Sequence, residues 1–175
     1  NEVSLNWTSE LVKTCKKYNI EYFTSSYDMS INNYLNKFVN AWKVGSGDIT
    51  WHDHIIKMAS TKKPIIIATG ASEYHEVEKI YKKIIKINKK LIIMQCNTNY
   101  TNNNDNYNYI NLNVLKLYKK KFKNVVLGLS DHTSGIETVL GAVTLGARVI
   151  EKHFTDSNLN NGPDHKFSMN PTSWR

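Results

Sequence analysis

Short apolar, β-branched runs alternate along this chain with longer segments whose apolar residues recur every three or four positions. The first pattern is that of buried strands and the second that of amphipathic helices. Six runs predict strands: Ile20–Thr24, Ala41–Val44, Pro64–Ala68, Leu91–Cys96, Val125–Leu129 and Ala147–Ile150. Helices are predicted near Thr8–Tyr18, Ile31–Phe38, His54–Ser60, Glu73–Ile87, Leu112–Phe122 and Gly135–Gly146. Thr8 and Ser9 are N-cap candidates ahead of Leu11 and Val12, and Gly146 is placed to end its helix just before the last strand. Such alternation predicts a parallel sheet with right-handed crossovers.

Two architectures fit that alternation. A doubly wound open sheet usually carries a Gly-rich turn after its first strand, but Thr24-Ser25-Ser26-Tyr27 stands there. An eight-stranded βα barrel usually needs about 250 residues and at least about 200. Six βα units in 175 residues therefore fit a partial barrel best. In either architecture ligands bind where the strands end.

Composition changes little in this picture. At 41% hydrophobic the chain can bury a substantial core, and no apolar stretch approaches the roughly 18 residues of a membrane-spanning helix. The polar opening from Asn1 to Glu10 lacks the apolar core of a signal peptide, although the chain does not start with Met. Two cysteines, Cys15 and Cys96, give no disulfide framework, so a reducing cytoplasm is the default reading. The formal charge of +8 brings nucleic acid to mind. Most lysines, however, fall in Lys79–Lys86 and Lys116–Lys123, between apolar residues at helical spacing. They read as solvated helix faces, and nucleic acid is not an expected partner.

Candidate chemistry collects at the strand ends. In order, these give Thr24-Ser25-Ser26; Lys43 with Gly45-Ser46-Gly47-Asp48; Thr69-Gly70-Ala71-Ser72; Gln95, Asn97, Thr98, Asn99 and Tyr100; Ser130-Asp131-His132; and Glu151-Lys152-His153. Each end alone is ordinary turn chemistry. Together, hydroxyls, glycine amides and one lysine on one rim would suit a phosphate-bearing anion. Lys43 lies inside an apolar strand, where its charge is costly unless paired; the alternative is a side chain that snorkels to water. A lone histidine is more often structural, which is the reading given to His52, His54, His75 and His165. His132 and His153 share the strand-end position and are candidate ligands of one divalent metal, with coordination positions left for water and substrate.

The segments Lys43-Val-Gly-Ser-Gly-Asp48, Ser130-Asp-His-Thr133, Leu145-Gly-Ala-Arg-Val-Ile-Glu-Lys-His-Phe-Thr155 and Gly162-Pro-Asp-His165, in this order and spacing, resemble the sialic acid (N-acetylneuraminate) synthase family. The likeness extends from about Tyr22 to Trp174. It implies a (β/α)8 TIM barrel that condenses phosphoenolpyruvate with an N-acylated mannosamine-type sugar. The product is a nine-carbon 2-keto acid, and phosphate is released. Legionaminic and pseudaminic acid synthases, acting on 2,4-diacetamido sugars, are the neighbouring possibility. A non-catalytic fragment of such an enzyme is the alternative of a different class. By the resemblance, His132 and His153 correspond to ligands of a catalytic divalent metal, usually manganese, with magnesium or cobalt as substitutes. Thr24, Lys43, Ser46 and Ser130 correspond to groups around the phosphoenolpyruvate phosphate. Thr98 stands where many relatives carry Asn. Tyr100, Asp48 and Asp164 match positions facing the sugar, and Asp48, in place of a longer Glu, is also a candidate for moving protons.

Counted against the family, the six strands are numbers three to eight. Residues 1–175 are accordingly expected to form one incomplete catalytic domain, without the first two strands and without the small antifreeze-like domain that lends an Arg to a partner subunit in a homodimer. Six strands leave open edges at those containing Phe23 and Val149, which predicts poor solubility and no activity for this chain by itself.

Overall fold

The computed structural model describes residues 3–100 and 104–175. Residues 1 and 2, at the start of the segment read as lacking a leader, fall outside it, as do 101–103, which include part of the Asn-rich run. Six strands alternate with six helices: α1 (Thr8–Lys17), β1 (Thr24–Ser25), α2 (Asn32–Leu35), β2 (Trp42–Val44), α3 (His52–Ser60), β3 (Ile65–Ala68), α4 (Tyr74–Ile85), β4 (Leu91–Cys96), α5 (Val114–Lys121), β5 (Val125–Asp131), α6 (Glu137–Thr144) and β6 (Val149–Lys152).

All strands are parallel and pair in chain order, β1 to β6. A doubly wound sheet reverses its order at a switch point; this one never does. Lys43 on β2 contacts Glu151 on β6 at 3.4 Å. In a flat sheet those strands would stand about 19 Å apart, four spacings of about 4.8 Å. The sheet therefore curls into part of a barrel, as the sequence predicts.

Strand alternation divides the side chains into two layers. Trp42, Val44, Ile65, Ile67, Leu91, Ile93, Leu127 and Leu129 face the helices and form the core with Ile55 and Met58 of α3, Val77, Ile80 and Ile84 of α4, and Leu115 of α5. The Lys-rich helices behave as their periodicity requires. Tyr81 and Tyr118 pack on Phe122 rather than interleaving with lysines on a surface. The opposite, inner layer follows from the register. Ile66, Ile92 and Val126 align low in the barrel, Ala68, Met94, Gly128 and Val149 above them, and Cys96, Ser130 and Glu151 near the top. This layer is apolar below and polar at the strand ends. Val126 and Phe23 are exposed, and among the described residues β1 and β6 each pair on one side only.

Helix ends account for most differences from the predicted boundaries. Neither Thr8 nor Ser9 caps α1: a 3-10 turn over Leu5–Trp7 runs straight into the helix, and no side-chain cap forms. The α1 exit uses Asn19 at φ 55°, with the Ile20 N–H bonded to the Cys15 carbonyl, so Ile20 closes the helix instead of opening β1. Gly146 does end α6. At φ 107° it donates to the Val143 carbonyl while Ala147 donates to Ala142, the paired bonds of a Schellman motif. α2 shrinks to one turn, following a 3-10 turn at Met29–Ile31 capped by the Asp28 carboxylate.

Gly128 sits where the inner layer is tightest. A Cβ there would lie 2.7 Å from the Val149 carbonyl oxygen and 2.9 Å from Met94. Gly128→Ala is expected to destabilise the fold by about 1–3 kcal/mol, the usual range for overpacking. The check is a lower urea midpoint at unchanged m-value.

Candidate active site at the strand ends

Two polar groups meet at the top of the barrel. The first surrounds Lys43, which is buried rather than snorkelling: its Nζ donates to the Val44 carbonyl at 2.8 Å and pairs with Glu151. The other Glu151 oxygen accepts from the buried Ser130 hydroxyl at 2.7 Å. Glu151 thus matches the charge of Lys43 and ties it to Ser130 across the inner face. An ammonium has three N–H groups, so two contacts leave one for a ligand.

The second group is built on His132 and His153, the residues that follow β5 and β6. Their rings lie in one cleft, with centroids 5.1 Å apart and planes at 67°. His132 Nδ1–H donates to the Asn97 carbonyl at 2.7 Å, a bond that fixes the tautomer and leaves Nε2 with its lone pair. Burial, foremost, holds the His132 pKa below 6.5, against the opposing effect of the Asn97 bond. His153 Nδ1 faces the Asp164 carboxylate at 3.4 Å. An imidazole oriented through one nitrogen by a carbonyl or carboxylate is the usual condition of a metal-ligating histidine, so this donor set fits a divalent cation. Among the described residues no group of three or more His, Cys, Asp or Glu is arranged to hold a metal. Two imidazoles are what the described residues offer.

The strand ends are pinned from behind. Asp131 and Lys152 are register partners on the helix side of the sheet, each one residue ahead of a histidine, and their side chains pair at 2.7 Å almost fully buried. Asp131 also accepts from Thr133 and Thr138, and Lys152 donates to the Thr133 carbonyl. Because strand neighbours point to opposite faces, fixing these two outward fixes His132 and His153 inward. The network also extends β5 and β6 beyond their apolar runs.

The remaining predicted residues scatter around this centre. Ser46, nearly buried, approaches the Tyr100 hydroxyl at 3.5 Å, and the Tyr100 ring covers His132 at 4.2 Å. Asp48 folds over Gly45, where a Cβ would lie 2.6 Å from its carboxylate. Thr98 is exposed beside Gly70. Thr24 is not gathered in. The register sets it opposite the core residue Trp42 and places Ser25 opposite Lys43, so Ser25 is the β1 hydroxyl on the lysine's face. Only the register between β1 and β2 reveals it. Phe167, also outside the expected set, is buried with its ring 5.1 Å from His153 and 6.1 Å from His132. Of the histidines read as structural, His54 bonds Asn32 Oδ1, His165 bonds the Thr155 hydroxyl, and His52 accepts from Lys83.

The chain matches the NeuB family over residues 1–175. It is 37% identical over 175 residues to the N,N'-diacetyllegionaminic acid synthase of Campylobacter jejuni, covering 97% of this chain and 51% of that protein. Among solved structures, the spore coat polysaccharide biosynthesis protein spsE of Bacillus subtilis superposes with a TM-score of 0.90 at 28% identity, over 98% of this chain and 48% of that one. The N-acetylneuraminic acid synthetase of Leptospira borgpetersenii gives 0.85 at 29%, over 95% and 58%. The chain spans about half the length of the curated relatives it matches.

Lys152→Met would strand Asp131 as a buried, uncompensated charge. A loss of about 3–5 kcal/mol is expected, read by chemical denaturation. His132 and His54 both have pKa values lowered chiefly by burial. Below the unfolded value of 6.5 the unfolded chain binds protons that the folded one refuses, so stability falls as pH drops below 6.5 and recovers above it. Thermal melts from pH 7.5 to 5 check this, and His54→Asn should flatten the slope.

Proposed function

The chain belongs to the NeuB family, and from that premise we propose that it serves the condensation of phosphoenolpyruvate with an N-acylated amino sugar to give a nine-carbon 2-keto acid and phosphate. The observation that carries the reading is the convergence of Lys43, Ser130 and the His132–His153 pair from β2, β5 and β6 on one barrel end. An anion-binding lysine with hydroxyls, next to two imidazoles free to ligate, matches what this reaction needs.

Carbon 3 of phosphoenolpyruvate is a weak nucleophile and must be held against the aldehyde carbon of the open-chain sugar. The free N–H of Lys43 and the hydroxyl of Ser46 bind the phosphate end, with Ser25 on the same face, while Ser130 spends its hydroxyl proton on Glu151 and lines the same pocket. Glu151 keeps Lys43 in place inside the barrel. His132 and His153 would hold a divalent cation, manganese foremost, whose chemistry is to polarise the aldehyde oxygen and stabilise its developing negative charge. Tyr100, Phe167 and Asp164 line the sugar side, and Asp48 is the carboxylate placed to move protons at the rim. Phosphate leaves after water adds at carbon 2.

Kinetics of the intact enzyme with N-acetylmannosamine and with 2,4-diacetamido sugars test this. Lys43→Ala should raise KM for phosphoenolpyruvate at least tenfold and leave that for the sugar near its original value. His132→Ala and His153→Ala should each abolish the activity that added manganese restores after chelation. Full activity in either histidine variant would refute the metal assignment.

A further inference from the structure

The turns that lead into β2 to β6, at 36–41, 61–64, 86–90, 122–124 and 145–148, hold eight Lys and Arg and no Asp or Glu. They form the base of the barrel, the end opposite the strand-end site. Cations are favoured at such a base because helix C-termini leave unpaired carbonyls there. Lys62 and Lys63 fit that account, since their ammonium groups donate to the Ile87 carbonyl and to those of Asn36 and Val39. Three cations near the start of β5 and β6 do not.

Lys119, Lys123 and Arg148 line a cavity of about 360 Å³ walled by α5, the start of β5 and the turn into β6. Among the described residues the ammonium groups of Lys119 and Lys123 have no hydrogen-bond or ion-pair partner. Arg148 donates one guanidinium N–H to the Ala147 carbonyl at 2.9 Å, and four of its five remain. No acidic side chain lines the cavity. Lys13 and Lys82, by contrast, each pair with a glutamate. Lys119 Nζ leans over Gly146, 3.9 Å from where a Cβ would stand. Much of the remaining wall is apolar, from Phe122, Val126 and Leu127.

Unpaired like charges around a recess concentrate a positive field inside it. Two ammonium groups and a guanidinium fork suit a phosphate dianion, and the apolar wall suits a carbon body. The volume lies within the roughly 300–1,000 Å³ of small-molecule sites. The chain passes from Val126 at the cavity to His132 in the cleft, a span of about 20 Å at about 3.3 Å per residue. The two places are therefore separate.

We propose that this cavity is a second anion site, which takes a phosphate monoester with its phosphate between Lys119, Lys123 and Arg148 and its carbon body on the apolar wall. The assignment goes beyond the synthase reading and does not depend on it.

The test is binding of phenyl phosphate to the intact enzyme, followed by isothermal titration calorimetry. Lys43→Ala serves as the background, because it removes the lysine that would hold phosphate in the cleft. That enzyme should still bind one phenyl phosphate per chain, and inorganic phosphate about tenfold more weakly. Adding Lys119→Met and Arg148→Met should weaken phenyl phosphate by about tenfold or more, and adding Lys123→Ala alone by about threefold. All three side chains are exposed, so the thermal midpoint should not move. With Lys43 intact, the Lys119→Met/Arg148→Met enzyme should keep its KM for phosphoenolpyruvate within about twofold. Undiminished phenyl phosphate binding after Lys119→Met and Arg148→Met, or none in the Lys43→Ala background, would overturn the site and show the three cations to be solvated surface charges. Either of those results would leave the synthase reading standing.

Discussion

The contact between Lys43 and Glu151 is the constraint on which the rest of the site depends. It joins β2 to β6 across the inside of the sheet, and it can exist only if the intervening strands bend round to bring their inner faces together. The lysine is buried and the glutamate only partly exposed, and each has a further partner: the Val44 carbonyl for the lysine and the Ser130 hydroxyl for the glutamate. The same bend that satisfies the pair carries His132 and His153 over the cleft and sets Ser46 and Tyr100 on its rim. Curvature, charge burial and site assembly are one event.

Behind the sheet a second ion pair has a different task. Asp131 and Lys152 carry no surface that a ligand in the cleft could reach, yet they decide which way the next residue on each strand points. The polar end of the barrel is held from two sides, by Lys43–Glu151 within and Asp131–Lys152 without. Both pairs use one residue of the Glu151-Lys152-His153 run. Three consecutive residues face in, out and in, and each has its own partner.

Much of this was legible in the sequence because strand and helix periods differ so clearly here. The apolar runs located β2 to β6, while the first, Ile20–Thr24, meets β1 at Thr24 alone, and the absence of a Gly-rich first turn pointed away from a nucleotide-binding sheet. The lysine in an apolar strand and the two strand-end histidines are visible as exceptions to local pattern. Partners across strands were not legible. Glu151 reads as one more polar strand-end residue until the curl brings Lys43 to it, and Phe167 follows a polar stretch that has no period. Ser25 was not legible as the β1 hydroxyl on the face of Lys43, because that face is set by the β1–β2 register. Strand ends were underestimated where polar residues extend the ladder, as Asp131 and Lys152 do.

The segment after β6 is fastened mainly to itself. Thr155 bonds His165, Asn158 bonds the carbonyls of His165 and Ser168, Asn170 bonds Asn158, and Ser168 bonds the Asp164 carbonyl. One backbone bridge, Phe154 to Met169, closes its neck. Such a segment is an interchangeable part: its interior can be rewritten, or a differently shaped loop grafted at the same neck, without disturbing the barrel ladder. Since it brings Asp164 and Phe167 to the cleft, a lineage could redesign one wall of the site by exchanging a single stretch of chain while the scaffold stays the same.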